Sequence, residues 1–584
     1  MWASTTDDNA VYEQSDKRMC QLINIRGTSS AGIRRTPETE REDVGMKLNQ
    51  LVSYVRDYGI RQGAVMALDR IRGRKTAVVS YNEWQNRTRL SSFDYLKMEK
   101  TRFPKNPVIG ITASMREEDR TSFLQSLHLQ IYRNYKALKR DPHCEYVLVA
   151  EGSCTFKPEF LWECASLLSA EGGNDIGLVY FDSDVIGEDG CKCRPAFRPD
   201  FDPDLLERVN YMGNVVLVRS DLAHEAGLPA PGQAAFHRFL KQVCLDPAHP
   251  GDGGRGRTTV HIPKVLYHQT EESETFFGLR EAAPACAEGE EPLISVLIPN
   301  RDHAEELERC VESLRTVNTW QRLEILILEN NSAEEGTFAL YEKLKAEDSR
   351  IRVLTWDKPF NYSAINNFGA SHANGEYLLL LNNDTQILEA DSIARMQVLA
   401  GKPSVGAVGA LLLYPDRRVQ HGGIILGHGG IAGHAWEGEC PLEEADPFPR
   451  LVFSHTHNVC AVTGACMMLK KTNWESVGGM DESLGVTFND VDLCMRLRRE
   501  GLRILMCPDA GLIHNESASR GSEDTPQKVE RFHQEIRVFV HRWADELEKG
   551  DPFYNPNLTL TGRSWTCRDE LREAVKPYRK YLHL

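Results

Sequence analysis

Short, almost wholly apolar runs alternate with amphipathic stretches along this chain, and the alternation occurs twice. Apolar runs of four to eight residues with polar ends read as strands buried on both faces. Apolar residues at three- and four-residue spacing read as helices laid over them. In the first pass, "PVIGITAS" (107–114) is a strand, "EYVLVAEGSCTFKPEFL" begins at Glu145, "IGLVYFDSDVIGEDG" follows, and "NVVLVRSDLAHEAGL" starts at Asn214. In the second, "LISVLIPNRD" starts at Leu293, "EYLLLLNNDTQILEADSI" at Glu376 and "GACMMLKKTNWESVGGM" at Gly464. Glu-Tyr opens an apolar strand in both passes. In both, a later strand leads through a basic residue into a helix that stops at glycine. The gap between the first strand and the Glu-Tyr strand is about 30 residues in the first pass and about 75 in the second. The second therefore has room for a further strand–helix unit beginning at "RLEILILENNSAEEG".

This pattern predicts an α/β protein built on mainly parallel, Rossmann-like sheets, present as a truncated first copy and a complete second one. In such sheets ligands bind beyond the carboxyl ends of the strands. "ISVLIP", "LEILILEN" and "YLLLLNND" each deliver polar residues to that edge.

Composition narrows the class. The 584 residues are 41% hydrophobic and 26% charged, as in globular proteins. The formal charge, 69 − 84 = −15, disfavours a general nucleic-acid binder, which needs a basic surface. No apolar run approaches the roughly 20 residues of a membrane span. The first residues lack the apolar core of a signal peptide, so a cytoplasmic protein is expected. The 15 cysteines are scattered and read as buried thiols. "CKC" at Cys191–Cys193 has no second pair at zinc spacing.

Several polar residues are candidates for chemistry. Asp384 ends a core strand, where a rigid carboxylate suits a hard divalent cation; an Asx turn is the plain alternative. "VTFNDVDLCMRLRREGLRI" reads as a helix from about Asp490 to Glu500 with Gly501 as its cap. Asp490 and Asp492 lie in its first turn, either as dipole partners or with one of them a fixed general base. His514 can join a carboxylate on a metal. Ser517, Ser519 and Arg520 beside it suit phosphate oxygens. Glu329 can accept hydrogen bonds from a base or ribose, and Asn366 and Asn367 lie on a helix before the Asp384 strand. "VQHGGIILGHGGIAGHAW", with His421, His428 and His434, reads as a mobile Gly-rich loop, with a zinc site the alternative.

Taken in order, "SVLIPNRD", "LENNS", "FNYSAINNFGA", "GEYLLLLNNDT", "VQHGGIILG", "FNDVDLCMRLR" and "HNESASRGSED" resemble the family-two glycosyltransferases of the GT-A fold. More narrowly they resemble the rhamnosyltransferase-like enzymes of bacterial O-antigen and surface-polysaccharide assembly. The resemblance spans about Leu293 to Leu560. It implies a metal-dependent, inverting transfer of a sugar from a dTDP- or UDP-sugar to a glycan or lipid-linked glycan. It also implies Mg²⁺ or Mn²⁺ on Asp384 and His514, with Asp490 as base. Pro299, Glu329, Asn331, Asn366, Asn367, Asn382 and Asn383 would lie against the donor, and Gly464, Asp492, Ser519 and Arg520 near the acceptor or behind the site. Peripheral membrane association is a further expectation. The first pass resembles the N-terminal half of two-domain members. It carries Glu151-Gly152-Ser153-Cys154 where the second has Asn382-Asn383-Asp384-Thr385, and Ala234 and Phe236 where aspartates would stand. A non-catalytic, glycan-binding scaffold is the competing reading of the whole.

The expected organisation is a disordered N-terminus (1–45), a helical extension (46–100), a degenerate GT-A-like domain (101–275), a linker (276–291), a catalytic domain (292–545) and a tail (546–584). Asp182 and Asp184 in "FDSDV" leave open a residual second site in the first domain.

Overall fold

The computed structural model describes residues 78–137, 144–245, 258–270, 291–515, 526–569, 573 and 576–583. The N-terminus expected to be disordered, most of the helical extension and nearly all of the expected linker lie outside them. Eight strands form a first sheet: β1 (Ile109–Ser114), β2 (Tyr135–Ala137), β3 (Tyr146–Glu151), β4 (Cys154–Phe156), β5 (Ile176–Ile186), β6 (Lys192–Ala196), β7 (Val215–Arg219) and β8 (Thr258–Thr270). The remainder are β9 (Ile294–Asn300), β10 (Leu323–Glu329), β11 (Ile351–Thr355), β12 (Tyr377–Leu381), β13 (Thr385–Ile387), β14 (Val405–Leu413), β15 (Val419–His421), β16 (Ile424–Leu426), β17 (Ala432–His434), β18 (His457–Asn458), β19 (Cys466–Lys470) and β20 (Arg503–His514). Of these, β16 and β17 form a two-stranded sheet of their own, with Ile424 bridged to Ala461, and the others form the second sheet.

The two sheets repeat one another. The first runs β2-β1-β3-β7-β5-β8-β4 and the second β11-β10-β9-β12-β19-β14-β20-β13. With β11 set aside, strand matches strand, and the sense of each pairing is the same. β1 is parallel to β2 and β3, as β9 is to β10 and β12. β7 is antiparallel to β3 and β5, as β19 is to β12 and β14. The extra strand β11 and the two helices flanking it, Glu335–Glu347 and Tyr362–His372, occupy the longer gap of the second pass.

Both sheets are mixed, which corrects the expectation of mainly parallel ones. The cause is β7 and β19, which run against both of their neighbours. Apolar runs specify burial on both faces but carry no sign of strand direction. "VQHGGIILGHGGIAGHAW" is also more ordered in form than a Gly-rich loop. It supplies β15, β16 and β17, and the left-handed Gly423 and Gly427 turn the chain between them.

The two sheets share their core. Val79, Trp84, Phe197 and Val265 from the first part belong to the same apolar cluster as Leu380, Leu411 and Met467 of the second. In return, the helix Pro447–Ser454 lodges Phe448, Leu451 and Val452 against Val147, Tyr180 and Phe236. Each of these buried side chains contributes roughly 1.5–3 kcal/mol. The segment after helix Ala544–Lys549 closes the seam. Asn555 donates to both oxygens of Asp182, and Trp565 stacks on Trp436 with centroids 5.3 Å apart.

Asp182 and Asp184 are wholly buried and occupied by these contacts. Asp182 also accepts from His261 Nε2 at 2.9 Å, and Asp184 accepts from His268, Tyr81 and Gln85. Their acidity therefore serves the seam between parts of the chain rather than a residual second site.

Asp204 bridges the two halves most directly. Its carboxylate takes Lys402 Nζ at 3.0 Å and Arg503 Nε at 2.7 Å. Burial alone would raise this carboxyl; Arg503 and Lys402 outweigh that and hold it below the usual range. A depressed carboxyl stabilises the fold above its unfolded value of 3.8, and the gain is lost as pH falls through the lower folded value. Asp204→Ala is expected to lower stability by about 2 kcal/mol at neutral pH, because the two cations it abandons still reach solvent. The difference from wild type should shrink below about pH 4 in denaturant titrations. A pH-independent difference would contradict the ion-pair account.

Candidate functional site

The site lies where "YLLLLNNDT" leaves the second sheet. Leu378–Leu381 are buried between the parallel β9 and the antiparallel β19, so β12 is held on both edges. The chain turns at Asn382–Asp384, with Thr385 Oγ1 donating to the Asn382 carbonyl at 2.7 Å, and re-enters as β13. There Thr385 pairs with His514, which brings the last residue of β20 beside Asp384.

Asp384 Oδ1 and His514 Nε2 are 3.1 Å apart, both residues buried. Their contact is not a hydrogen bond, and Asp384 Oδ1 is buried without a hydrogen-bond partner. The reason is on the far side of the imidazole. Gln420 Oε1, an acceptor only, lies 2.7 Å from His514 Nδ1, so the ring proton sits on Nδ1. Nε2 then carries the lone pair, which accepts from Asn382 Nδ2 at 3.3 Å beside the carboxylate. A buried carboxylate oxygen without a hydrogen-bond partner next to an imidazole nitrogen is a set of donors for a cation, one hard oxygen and one imidazole nitrogen. Among the described residues no cluster of three or more His, Cys, Asp or Glu assembles, and the described residues offer two ligands here.

Asp490 sits at the start of the helix Asn489–Arg499, one residue longer at its N-terminal end than the sequence predicts. Phe488, with φ 59°, turns the chain into that helix and stacks on Phe539. The half-buried Asp490 accepts from Gly464 N–H through Oδ2 at 3.0 Å and from Val491 N–H through Oδ1 at 2.8 Å. The Gly464 carbonyl is fixed in turn by Tyr362, whose hydroxyl donates to it at 2.7 Å; a side chain at 464 would press on that ring. On the next peptide unit the Ala465 carbonyl accepts from Asn382 N–H at 3.0 Å. One short strand of backbone therefore holds Asp490 and the Asn382–Asp384 turn in one crevice.

Asp492 plays no part in that crevice. It is wholly buried, with Arg496 on one oxygen at 2.8 Å and Arg542 and Trp543 on the other at 2.7 and 3.0 Å. It anchors helix Pro526–Arg542 behind the site and cannot meet an acceptor.

The amides divide. Asn383 donates to Asn300 at 2.6 Å, and Asn300 donates to the Tyr341 hydroxyl, which donates to Glu329. This chain ties together the ends of β12, β9 and β10. Glu329 is thus turned into the protein, taking Ser332 N–H and Oγ besides Tyr341, where the sequence reading aimed it at a base or ribose. Asn331, at φ 56°, donates to the Lys358 carbonyl. Pro299 is half-buried on β9 opposite Leu328. Asn366 and Asn367 turn away from the crevice. Asn366 is wholly buried and donates to Tyr362 O one turn back. Asn367 clamps Met480 through both its amide and carbonyl. Helix periodicity decides which face an amide takes, and Asn367 faces the 480–485 loop. Ser519 and Arg520 lie outside the described residues. Gln420, Asn300, Tyr341 and Tyr362 had no local signal in sequence, since each partner lies tens of residues away. His421 and His434 meet with Nδ1 atoms 2.8 Å apart, while His428 bonds the Gly562 carbonyl, so the three histidines do not gather as a zinc site would need.

Matched by sheet register, the first sheet lacks this chemistry. β4 pairs Cys154 with Gln269 where β13 pairs Thr385 with His514. Ser153 and Gln269 thus stand at the positions of Asp384 and His514. In the helix Gln233–Cys244, Ala234 and Phe236 stand at those of Asp490 and Asp492.

Residues 295–475 match the family model described as Glycosyl transferase family 2. The chain is 35% identical over 423 residues to an uncharacterized protein, y4gI, of Sinorhizobium fredii, covering 66% of this chain and 45% of that protein. It is 34% identical over 442 residues to O-antigen biosynthesis protein RfbC of Myxococcus xanthus, covering 70% of this chain and 33% of that protein. Over 266 residues it is 24% identical to N-acetylglucosaminyl-diphospho-decaprenol L-rhamnosyltransferase of Mycobacterium tuberculosis, covering 43% of this chain and 83% of that protein. The chain spans less than half the length of the first two of these relatives. Among the described residues no helix is long and apolar enough to cross a membrane. Within the second sheet, residues 295–475 are thus similar to the glycosyl transferase family 2 domain.

Proposed function

We propose that this domain transfers a sugar, with inversion, from a nucleotide-diphospho-sugar to a hydroxyl of a glycan or lipid-linked glycan. The observation that carries the proposal is the Asp384–His514 pair, a buried carboxylate oxygen left without a hydrogen-bond partner 3.1 Å from an imidazole nitrogen. That donor set fits Mg²⁺ or Mn²⁺. When bound, the ion supplies charge neutralisation to the departing nucleoside diphosphate. Gln420 keeps the imidazole proton on Nδ1, and Asn382 steadies the ring from the other side. Asp490, aimed by the Gly464 and Val491 amides, takes the proton of the acceptor hydroxyl as its oxygen attacks the anomeric carbon. An ordinary carboxylate suffices, because the hydroxyl becomes acidic only as the new bond forms.

In this reading the first sheet is a degenerate copy of the second. It keeps the strand order but carries Ser153, Gln269 and Ala234 in place of metal ligand, metal ligand and base, and its work is to brace the catalytic domain. A GT-A fold, a dTDP- or UDP-sugar donor, rhamnosyl or hexosyl transfer, and a place beside the membrane where lipid-linked glycans are built complete the proposal. The names of the O-antigen and rhamnosyltransferase relatives support it.

Asp490→Ala is expected to lower kcat roughly 10²- to 10⁴-fold while donor binding, read by thermal shift, stays at the wild-type level. Near wild-type turnover would take the role of base from Asp490. A screen of nucleotide sugars should raise Tm only with Mn²⁺ or Mg²⁺ present, by the equivalent of about 2.7 kcal/mol at a hundredfold excess over Kd. The same shift in Asp384→Ala, or in excess chelator, would sink the metal assignment. A stabilising glycan with no response to any nucleotide sugar would favour the scaffold reading instead.

A further inference from the structure

The helix Ser92–Lys100 is firmly held and yet buries none of its residues. A capping box closes its first turn. Asp94 N–H donates to Ser91 Oγ at 3.3 Å, and the Asp94 carboxylate takes Ser91 N–H at 2.8 Å. One side of the helix rests against the helix Phe160–Ser169. There Tyr95 donates to Glu159 at 3.1 Å, and Trp162 Nε1 donates to the Met98 carbonyl at 3.1 Å. Phe103, just beyond the helix, packs on Trp162 and Tyr132. These contacts fix how the helix is rolled.

The other side carries Phe93, Leu96, Lys97 and Lys100, at the three- and four-residue spacing that sets side chains on one face. Phe93 is 73% exposed and Leu96 52%. Both lysines are exposed, as are Arg89, Arg102 and Lys105 at the two ends of the helix. Residues 89–105 thus hold five basic residues against two acidic ones, in a chain whose net charge is −15. Of the two acids, Asp94 is folded back into the capping box, and Glu99, two residues after Lys97, does not share the face.

The chemistry of this face selects its partner. Phenylalanine and leucine set between lysines match an apolar layer lying beneath an anionic one. Nucleic acid offers the charge without the apolar depth. A second copy in a two-fold contact would set these lysines against themselves. Residues 44–77, which lead into this region, carry seven basic residues and two acidic ones, so their charge has the same sign.

We propose that this face docks the protein on an anionic lipid bilayer. The lysines and arginines meet the lipid phosphates, and Phe93 and Leu96 enter the acyl layer beneath them. The proposal deepens the transferase reading by naming the surface that holds the protein beside the membrane, and it rests on that reading only for the purpose of the contact.

The test is flotation of the full chain with vesicles of phosphatidylcholine containing about one-third phosphatidylglycerol, beside vesicles of phosphatidylcholine alone. The wild-type protein should float with the anionic vesicles and not with the neutral ones, and added salt should release it. Phe93→Ser with Leu96→Ser, and separately Lys97→Glu with Lys100→Glu, should each weaken binding about tenfold or more while Tm stays at the wild-type value. Lys343→Glu with Lys345→Glu makes the same change of charge on the helix Glu335–Glu347 and should leave binding within about twofold. A wild-type protein indifferent to both kinds of vesicle overturns the proposal. Unchanged binding in either variant of the face does so as well, and so does an equal loss in the Lys343 and Lys345 variant. A lowered Tm in the serine variant overturns it by showing that other residues of the chain cover Phe93 and Leu96. A change of oligomeric state in that variant, read by light scattering, overturns it by showing that a second copy covers them. No sugar enters these measurements, so a failure of the transferase reading, seen as absence of transfer from every nucleotide sugar, is read separately.

Discussion

A carboxylate and an imidazole held 3.1 Å apart in a buried space impose the central constraint on this molecule. Neither group can rotate away. Asp384 is fixed by the turn between β12 and β13, and its carbonyl takes the Asn515 amide. His514 is fixed by strand pairing with Thr385 and by Gln420. A buried carboxylate oxygen without a hydrogen-bond partner is unfavourable by itself. The surrounding strands, buried on both faces, are what keep the pair together, and a cation would satisfy that oxygen.

The second sheet positions everything else around that pair. β19 runs against both its neighbours, so the backbone entering it, at 463–465, arrives at the same edge where β12 ends. That one reversal brings Asp490 and the Asn382 turn into a single crevice. Antiparallel β19 is thus the structural means by which residues about a hundred positions apart in sequence face one crevice.

The first sheet keeps the strand order and every pairing sense of the second, with Ser153, Gln269 and Ala234 at the positions of Asp384, His514 and Asp490. Its buried acids have been turned to cohesion. Asp182 and Asp184 hold the tail and the helix Tyr81–Thr88, and Asp204 holds Lys402 and Arg503 across the seam. The apolar clusters cross the same seam in both directions. A partner anchored this way restrains the helix Pro447–Ser454 and the tail, and through them the back of the crevice.

Local sequence determined the strands, the duplicated order, the missing β11 unit and the helix at Asn489–Arg499, because burial and helix periodicity are written in neighbouring residues. It also singled out Asp384, Asp490 and His514 as polar groups at element ends. Strand direction was not legible, since an apolar run reads the same forwards and backwards. Nor were the duties of the amides and acids. Asp492 and Asp490 are two residues apart on one helix turn, yet one is wholly buried against Arg496, Arg542 and Trp543 and the other faces the crevice. Asn367 and Asn383 have the same side chain, but one clamps a loop and the other ties strand ends. Gln420 matters only through a partner that the chain meets after folding. What an element is depends on nearby residues; which atom a polar side chain meets depends on where distant elements come to rest, and only the tertiary structure decides that.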